Sequence, residues 1–104
     1  MLKYDINAFV LAEEVLGQSI SQIAVSLASM PKIVTIRGLY WAGLLHEDPK
    51  LKLSEAGELM QNRIDDGESL GKIVEEVCKA IEASGVFPKQ GKAEAADPQT
   101  SPAD

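Results

Sequence analysis

The segment that comes closest to a catalytic or metal-binding cluster is His46-Glu47-Asp48, which follows an apolar run and precedes Pro49. Histidine and carboxylate side chains act as acid/base catalysts and as metal ligands. The chain has a single histidine and a single cysteine, and Lys50 stands where an H-E-x-x-H zinc motif needs its second histidine. Successive helical residues also point about 100° apart, so the three side chains do not converge. The segment is predicted to end a helix, because proline disfavours helical geometry in the residue before it.

Three further groups of residues were candidates for chemistry and are interpreted structurally. Asp65 to Ser69, with the sequence DDGES, lacks the ligand spacing of an EF-hand loop and is predicted to be a helix connection. Glu13 and Glu14 are adjacent on a predicted helix and do not share a face, so they do not form an acid/base pair. Cys78 is predicted to be a small core hydrophobe. No catalytic, metal or cofactor site is therefore predicted from the residues.

Composition limits the class of protein. A chain of 104 residues with 45% hydrophobic residues is the size of one domain. Its net charge of −6 disfavours nucleic acid or anionic lipid as the main partner and favours a protein partner. The single cysteine excludes a disulfide framework, and the acidic start Met1 to Asp5 differs from the basic start of a signal peptide. A cytoplasmic protein is expected.

The spacing of apolar residues predicts an all-α domain of about five short helices. The predicted starts are Ile6, Ser19, Pro31, Ser54 and Ser69, and the predicted ends are near Leu16, Ser29, Leu45, Asp65 and Gly85. Asp5 or Asn7 caps the first helix, and Gly17 supplies the left-handed residue after it. Ser19 and Gln22 form a capping box, and a serine N-cap opens each of the last two helices.

The third predicted helix is apolar nearly all round, which is typical of a central helix on which the others pack. Pro31 suits its first turn, because the amide donor that proline lacks would be unpaired there. Gly38 and Gly43 are predicted to permit close helix approach. A strand over residues 32–36 is the alternative, but the apolar run continues past it without alternation.

The last part of the chain differs from the rest in composition. Residues 88–104 contain no Leu, Ile, Val, Phe, Tyr or Trp, so they have little to offset the entropy of ordering. They are predicted to form a disordered tail after a helical domain at residues 1–87.

Tyr40 and Trp41 are the candidate partner-binding residues. They are adjacent on the third predicted helix, so both need not be buried, and the more exposed ring is a natural anchor for a protein partner. Packing of both rings in the core is the alternative.

Two segments carry a resemblance to a known family. They are Tyr4 to Ile20, YDINAFVLAEEVLGQSI, and Leu39 to Met60, LYWAGLLHEDPKLKLSEAGELM. Together they resemble phage tail assembly chaperones, including the small tail protein of gene transfer agent clusters. The shared features are an aromatic-Asp-Ile-Asn-Ala start, Glu-Glu, Leu-Gly, Trp-Ala-Gly-Leu, His-Glu-Asp-Pro and Glu-Ala-Gly. The resemblance covers about Tyr4 to Ile81.

The resemblance implies a non-enzymatic assembly factor in the cytoplasm of a bacterial host. Such a chaperone binds the tape-measure protein, helps gather tail-tube subunits around it, and is absent from the finished tail. No nucleic acid or membrane partner is expected, and the oligomeric state does not follow. A tail-tube component is disfavoured, because tube subunits must build a continuous β-structure.

The alternative is an acidic helical adaptor or a regulator of helix-turn-helix type. The fourth and fifth predicted helices would then form the DNA-reading pair. Charge disfavours this hypothesis, since the fifth helix carries Glu75, Glu76 and Glu82 against Lys72 and Lys79.

Tail chaperones of long-tailed phages are often made in two lengths by a backward ribosomal slip. Gln90 to Lys92 is a predicted slip position, because one legal coding of Gln-Gly-Lys contains a suitable heptamer. An ordinary polar tripeptide is the alternative.

Overall fold

Five α-helices make up the fold, and the computed structural model describes residues 2–29 and 31–86. The helices are α1 (Ile6–Leu16), α2 (Ile20–Ala28), α3 (Ile33–Leu44), α4 (Leu53–Asp65) and α5 (Leu70–Ala83). The described residues include no strand, so the predicted all-α class is confirmed. The predicted tail at 88–104 and the predicted slip position at 90–92 lie outside the described residues.

The caps of α1 and α2 match their predictions. The side chain of Asp5, and not that of Asn7, accepts a hydrogen bond of 2.8 Å from a first-turn amide of α1. Gly17 follows α1 with φ 66°, in the region that glycine adopts without steric cost. The Ser19 hydroxyl accepts from the Gln22 amide at 3.2 Å, and the Gln22 side chain accepts from the Ser19 amide at 3.0 Å. The predicted capping box is therefore confirmed.

The predicted start of α3 at Pro31 is wrong. Lys32 has extended backbone angles, φ −80° and ψ 150°, and it is the N-cap of a helix that begins at Ile33. Pro31 consequently precedes the cap. The fixed φ of proline suits an extended segment as well as a first helical turn, so its presence alone does not identify the first helical residue.

The predicted N-cap of α4, Ser54, is also wrong, because the helix begins at Leu53 with Lys52 as its N-cap. The Glu55 carboxylate accepts a hydrogen bond of 2.9 Å from the Lys52 amide. The indole Nε1 of Trp41 donates to the Leu51 carbonyl at 2.8 Å. The Leu51 carbonyl and the Lys52 amide belong to one peptide group, so the two contacts fix that group just before α4. Ser54 lies within the first helical turn.

The predictions for α5 are confirmed. The Ser69 hydroxyl accepts from a first-turn amide at 3.2 Å. Gly85 has φ 75° just after the helix ends. The Glu75 carboxylate and the Lys79 ammonium, one turn apart, lie 3.6 Å from each other.

The central helix is α3, as its apolar composition predicts. It contacts each of the other four helices, and its closest packing is with α1 and α4. The hydrophobic core comprises Tyr4, Ala8, Phe9, Ala12, Ile23, Ile36, Leu39, Tyr40, Ala42, Ala56, Met60, Ile73 and Val77. None of the helices within the described residues has the length and apolar composition needed to cross a lipid bilayer.

The two glycines within α3 allow close packing on its inner side. A Cβ atom on Gly38 would lie 2.9 Å from a methyl carbon of Leu16 in α1. A Cβ atom on Gly43 would lie 2.8 Å from the ring of Tyr4, whose hydroxyl donates to the Leu39 carbonyl. Close helix approach is thus confirmed at Gly38, whereas at Gly43 the approaching element is the extended segment that precedes α1.

Candidate functional site

The His46-Glu47-Asp48 segment forms the turn after α3, which confirms its interpretation as a helix stop. His46 Nδ1 lies 2.9 Å from the Gly43 carbonyl oxygen, so the ring contacts a carbonyl of the last helical turn. His46 Nε2 lies 3.5 Å from a carboxylate oxygen of Glu47. The Asp48 carboxylate accepts from the Lys50 amide at 3.2 Å, which stabilises the following turn.

The other candidate groups from the sequence also have local structural roles. Among residues 2–29 and 31–86, no three His, Cys, Asp or Glu side chains lie close enough to hold a metal ion. Cys78 is half-buried and does not belong to the core, so the prediction that it is a core hydrophobe is wrong. Burial, assisted by the charge of Glu82, raises the pKa of its thiol. The thiol is therefore protonated at neutral pH.

Glu13 has a role that the sequence did not indicate. Its Oε2 accepts a hydrogen bond of 2.7 Å from the Ile20 amide, the first amide of α2. Glu14, beside it in the sequence, is exposed. A carboxylate stabilises the positive N-terminal end of a helix, so Glu13 links α1 to α2 and does not pair with Glu14.

The chain's two arginines have different surroundings, and Arg63 is fully paired. Its Nε lies 3.1 Å from both carboxylate oxygens of Glu68. Its Nη1 and Nη2 donate to Glu76 at 2.9 and 2.6 Å. Hydrogen bonds from Arg63 lower the pKa of both carboxyls. The pKa of the Arg63 guanidinium is raised most by its hydrogen bond to Glu68, next by that to Glu76, and then by the Tyr40 hydroxyl. This cluster joins the end of α4 to α5.

Arg37 has no hydrogen-bond or ion-pair partner among the described residues. Its Nε is shielded from solvent and lacks an acceptor. Its aliphatic stem passes close to α4, where a Cβ atom on Gly57 would lie 3.1 Å from the Arg37 Cδ. The guanidinium keeps its full charge, since arginine does not deprotonate in proteins. Arg37 is consequently a half-buried cation that the fold does not neutralise.

Arg37 belongs to a stripe on α3 that the other helices leave partly uncovered. We define the outer face of α3 by four residues, Ile33, Val34, Arg37 and Trp41. At 100° per residue these positions fall within an arc of about 100°. Ile33 is 66% exposed and Val34 is 51% exposed, while Arg37 and Trp41 are half-buried. The outer face therefore combines two exposed aliphatic side chains, an indole and an unpaired cation.

The two residues proposed from the sequence as partner anchors lie in different places. Tyr40 is 7% exposed and belongs to the core. Trp41 lies on the outer face, with its indole N–H engaged by the Leu51 carbonyl. Partner binding by these residues stays a prediction, and Trp41 is the one of the two that has accessible surface. The sequence-based interpretation did not single out Arg37, although its spacing of four residues from both Ile33 and Trp41 is visible in the sequence.

A second apolar surface lies beside α1. It is an open cavity of about 160 Å³, and its lining residues are Ile6, Phe9, Val10, Glu13, Ile20 and Val86. The Glu13 carboxylate is already bonded to the Ile20 amide. The cavity therefore offers apolar contact, and its one ionisable side chain already serves as a helix cap.

Comparison of the chain with protein-family models, with curated proteins and with solved structures found no match. The surface itself is then the guide to function. Of the surfaces described, the outer face of α3 is the one that combines apolar, aromatic and cationic contacts, a composition typical of the residues that contribute most to protein interfaces.

Proposed function

We propose that this protein is a non-enzymatic assembly chaperone of a phage, prophage or gene-transfer-agent tail. In this function it binds the tape-measure protein and helps to recruit tail-tube subunits in the cytoplasm of the bacterial host. The proposal starts from the resemblance over Tyr4 to Ile81, and its structural support is the outer face of α3.

The outer face supports this function because a chaperone for a long helical client needs exposed apolar surface on a soluble body. Ile33 and Val34 are more than half exposed. Burying them would stabilise the domain, so their exposure leaves apolar surface that a client can cover. The net charge of −6 keeps the remaining surface solvated and discourages nonspecific association. An apolar stripe within an acidic surface suits reversible binding of an apolar helix.

The experiment that tests the proposal is co-expression with the tape-measure protein encoded in the same gene cluster. We expect the client to remain in the soluble fraction and to co-purify with a tagged copy of this chain. A client that precipitates to the same extent with and without the chain would rule out the chaperone function. The Lys79→Ala variant is a useful control for expression level, because Lys79 is an exposed residue of α5 and its substitution leaves the residues of the outer face unchanged.

The helix-turn-helix alternative has less support. Helices α4 and α5 pack on α3 and make few contacts with each other, whereas the two helices of that motif pack together. The arginine of α4, Arg63, is already paired with Glu68 and Glu76. Titration of the protein into labelled duplex DNA at low salt tests the alternative, and we expect no saturable binding.

A further inference from the structure

We propose that the outer face of α3 is the client-binding surface, and that its occupant is an amphipathic client helix carrying a carboxylate that pairs with Arg37. The inference rests on the proposed function and adds to it the face that binds and the chemistry that is recognised. It predicts that the bound helix presents apolar residues three or four positions apart, with Asp or Glu beside them.

The outer face has the length of a short helix contact. From Ile33 to Trp41 the stripe rises about 12 Å along α3, at about 1.5 Å per residue, which corresponds to two turns of a partner helix. Its aliphatic end, Ile33 and Val34, is the more exposed, and its aromatic end lies against the loop at Leu51. Two turns offer a partner helix about three or four anchoring positions.

Arg37 places a positive charge at the centre of the stripe. Arg37 lies one turn from Ile33 and one turn from Trp41, so a helix seated on the stripe covers it. Covering an unpaired cation is costly unless the partner supplies an anion. An arginine also binds a carboxylate through two parallel hydrogen bonds, which adds geometric specificity. A client helix with a carboxylate at this point satisfies Arg37, and an all-apolar helix does not.

A second copy of this chain fits the outer face less well than a client helix. In a two-fold symmetric contact the same face of each copy meets its counterpart. When the two-fold axis passes near the centre of the outer face, the two Arg37 side chains approach each other, each without a partner among the described residues. Like charges brought together in this way are unfavourable. A distinct client helix with the opposite charge is therefore the occupant that the face fits.

The experiment uses the full chain and a tryptophan-free fragment of the tape-measure protein from the same gene cluster. Trp41 is the only tryptophan in the chain, so its emission reports directly on the outer face. We expect a blue shift on binding. Arg37→Glu should weaken binding by about thirtyfold or more, as loss of a central interface contact does. Val34→Ser, at a position already 51% exposed, should weaken it by several-fold without affecting the fold.

Three control variants separate the proposed pairing from general effects. Arg37→Lys keeps the charge and should retain much of the affinity that Arg37→Glu loses. Lys79→Glu makes the same change of charge on α5, at an exposed position, and should alter binding by less than about threefold, because salt screens the interactions of exposed charges. Ile6→Ser, at a 62% exposed residue beside the α1 cavity, should leave binding unchanged. Thermal unfolding of each variant checks that it is folded.

The outcomes distinguish the inference from the function on which it rests. If the wild-type chain neither binds nor solubilises the client, the proposed function fails and the inference fails with it. If the wild type binds and both Arg37→Glu and Val34→Ser bind equally well, the chaperone function stands and this surface is overturned. If the protein alone self-associates and Arg37→Glu abolishes that association, the occupant is a second copy and the inference is also overturned. A charge-exchanged client, with arginine in place of its carboxylate, should bind Arg37→Glu and confirm the pair.

Discussion

The chain's two arginines lie in two different environments. One is at the junction of α4 and α5, where it is paired, and the other is on the outer face of α3, where it is not. At the junction, Arg63 donates to Glu68 and Glu76, so its charge stabilises the contact between two helices. On the outer face, Arg37 has apolar neighbours along the helix, and the described residues supply no acceptor for its Nε. In an acidic chain, an unpaired arginine beside exposed aliphatic residues is the observation on which the proposed client-binding surface rests.

The same contrast holds across α3 itself. Its inner side carries Leu39, which is completely buried, and the two glycines that admit Leu16 and Tyr4. Its outer side carries Val34, which is half exposed. Burial of apolar area stabilises the fold, so the inner side supports stability and the outer side contributes little to it. Substitutions on the two sides should therefore separate stability from binding.

The largest effect is expected from Leu39→Ala on the inner side. Removing a fully buried leucine leaves a cavity and should lower the free energy of unfolding by about 2–5 kcal/mol. The matched change on the outer side, Val34→Ala, should alter it by less than about 0.5 kcal/mol. Urea denaturation followed by circular dichroism measures both. Equal losses for the two variants would show that the two sides of α3 do not differ as described.

The two inner glycines provide the next test. Gly43→Ala places a methyl group against the rigid ring of Tyr4, which is held by the Leu39 carbonyl, and should cost about 1–3 kcal/mol of stability. Gly38→Ala meets the flexible end of Leu16. Its cost should be smaller and partly offset by the gain of up to about 1 kcal/mol in helix propensity. Thermal melts rank the two, and a larger loss for Gly38→Ala would contradict the packing.

A smaller effect is expected for Trp41→Phe, which tests the hydrogen bond between the outer face and the loop at Leu51. The substitution removes the hydrogen bond to the Leu51 carbonyl and should cost about 1 kcal/mol. Amide exchange near Leu51 should accelerate, because that turn loses its anchor. Ile33→Ser is the control on the same face, and exchange in the turn should not respond to it. Unchanged exchange in Trp41→Phe would mean that the indole does not hold the turn.

The smallest effect is expected in how the free energy of unfolding depends on pH when each arginine is replaced. Arg63 lowers the pKa of Glu68 and Glu76, so their contribution to stability is present above the unfolded glutamate pKa of about 4.3. It is lost as the pH falls through the lowered values. Arg63→Met should therefore reduce stability at pH 7 and flatten its decline toward acid. The pairs are partly solvated, so the reduction is modest.

Arg37→Met is the matched control for that pH dependence. Since Arg37 has no acidic partner among the described residues, its variant should follow the wild-type profile of unfolding free energy between pH 7 and pH 3. The assignment would be contradicted if the pH profile of unfolding free energy for Arg63→Met ran parallel to that of the wild type. A flattened profile for Arg37→Met would contradict it as well.

Predictions from the sequence succeeded where the controlling contact is local. Asp5, Ser19 and Ser69 cap their helices through amides three residues away, and Gly17 ends α1 with the expected left-handed backbone. The prediction failed for Ser54, because a hydrogen bond from Trp41 and the carboxylate of Glu55 fix the start of α4 earlier. A serine before an apolar run has the form of a cap, but a competing local contact from Glu55 and a contact from Trp41, ten residues before Leu51, decided which residue serves as one.

The candidate surface was predicted less completely than the fold. The sequence placed Tyr40 and Trp41 side by side and left open which ring is accessible. Tyr40 is buried against the core and lies beside Arg63, while Trp41 remains on the outer face. The importance of Arg37 was missed because an unpaired side chain can be recognised only when the positions of all possible acceptors are known.

The amino-acid sequence by itself determined that this chain forms five helices and where most of them begin and end. Helix caps and apolar periodicity act over three or four residues, so they are present in any short stretch of the sequence. Only the tertiary structure decided that Arg63 meets Glu76, thirteen residues away, and that Tyr4 reaches the Leu39 carbonyl, thirty-five residues away. Such pairs depend on how helices pack on α3, and that packing, by satisfying one arginine and leaving the other unpaired, created the candidate binding surface.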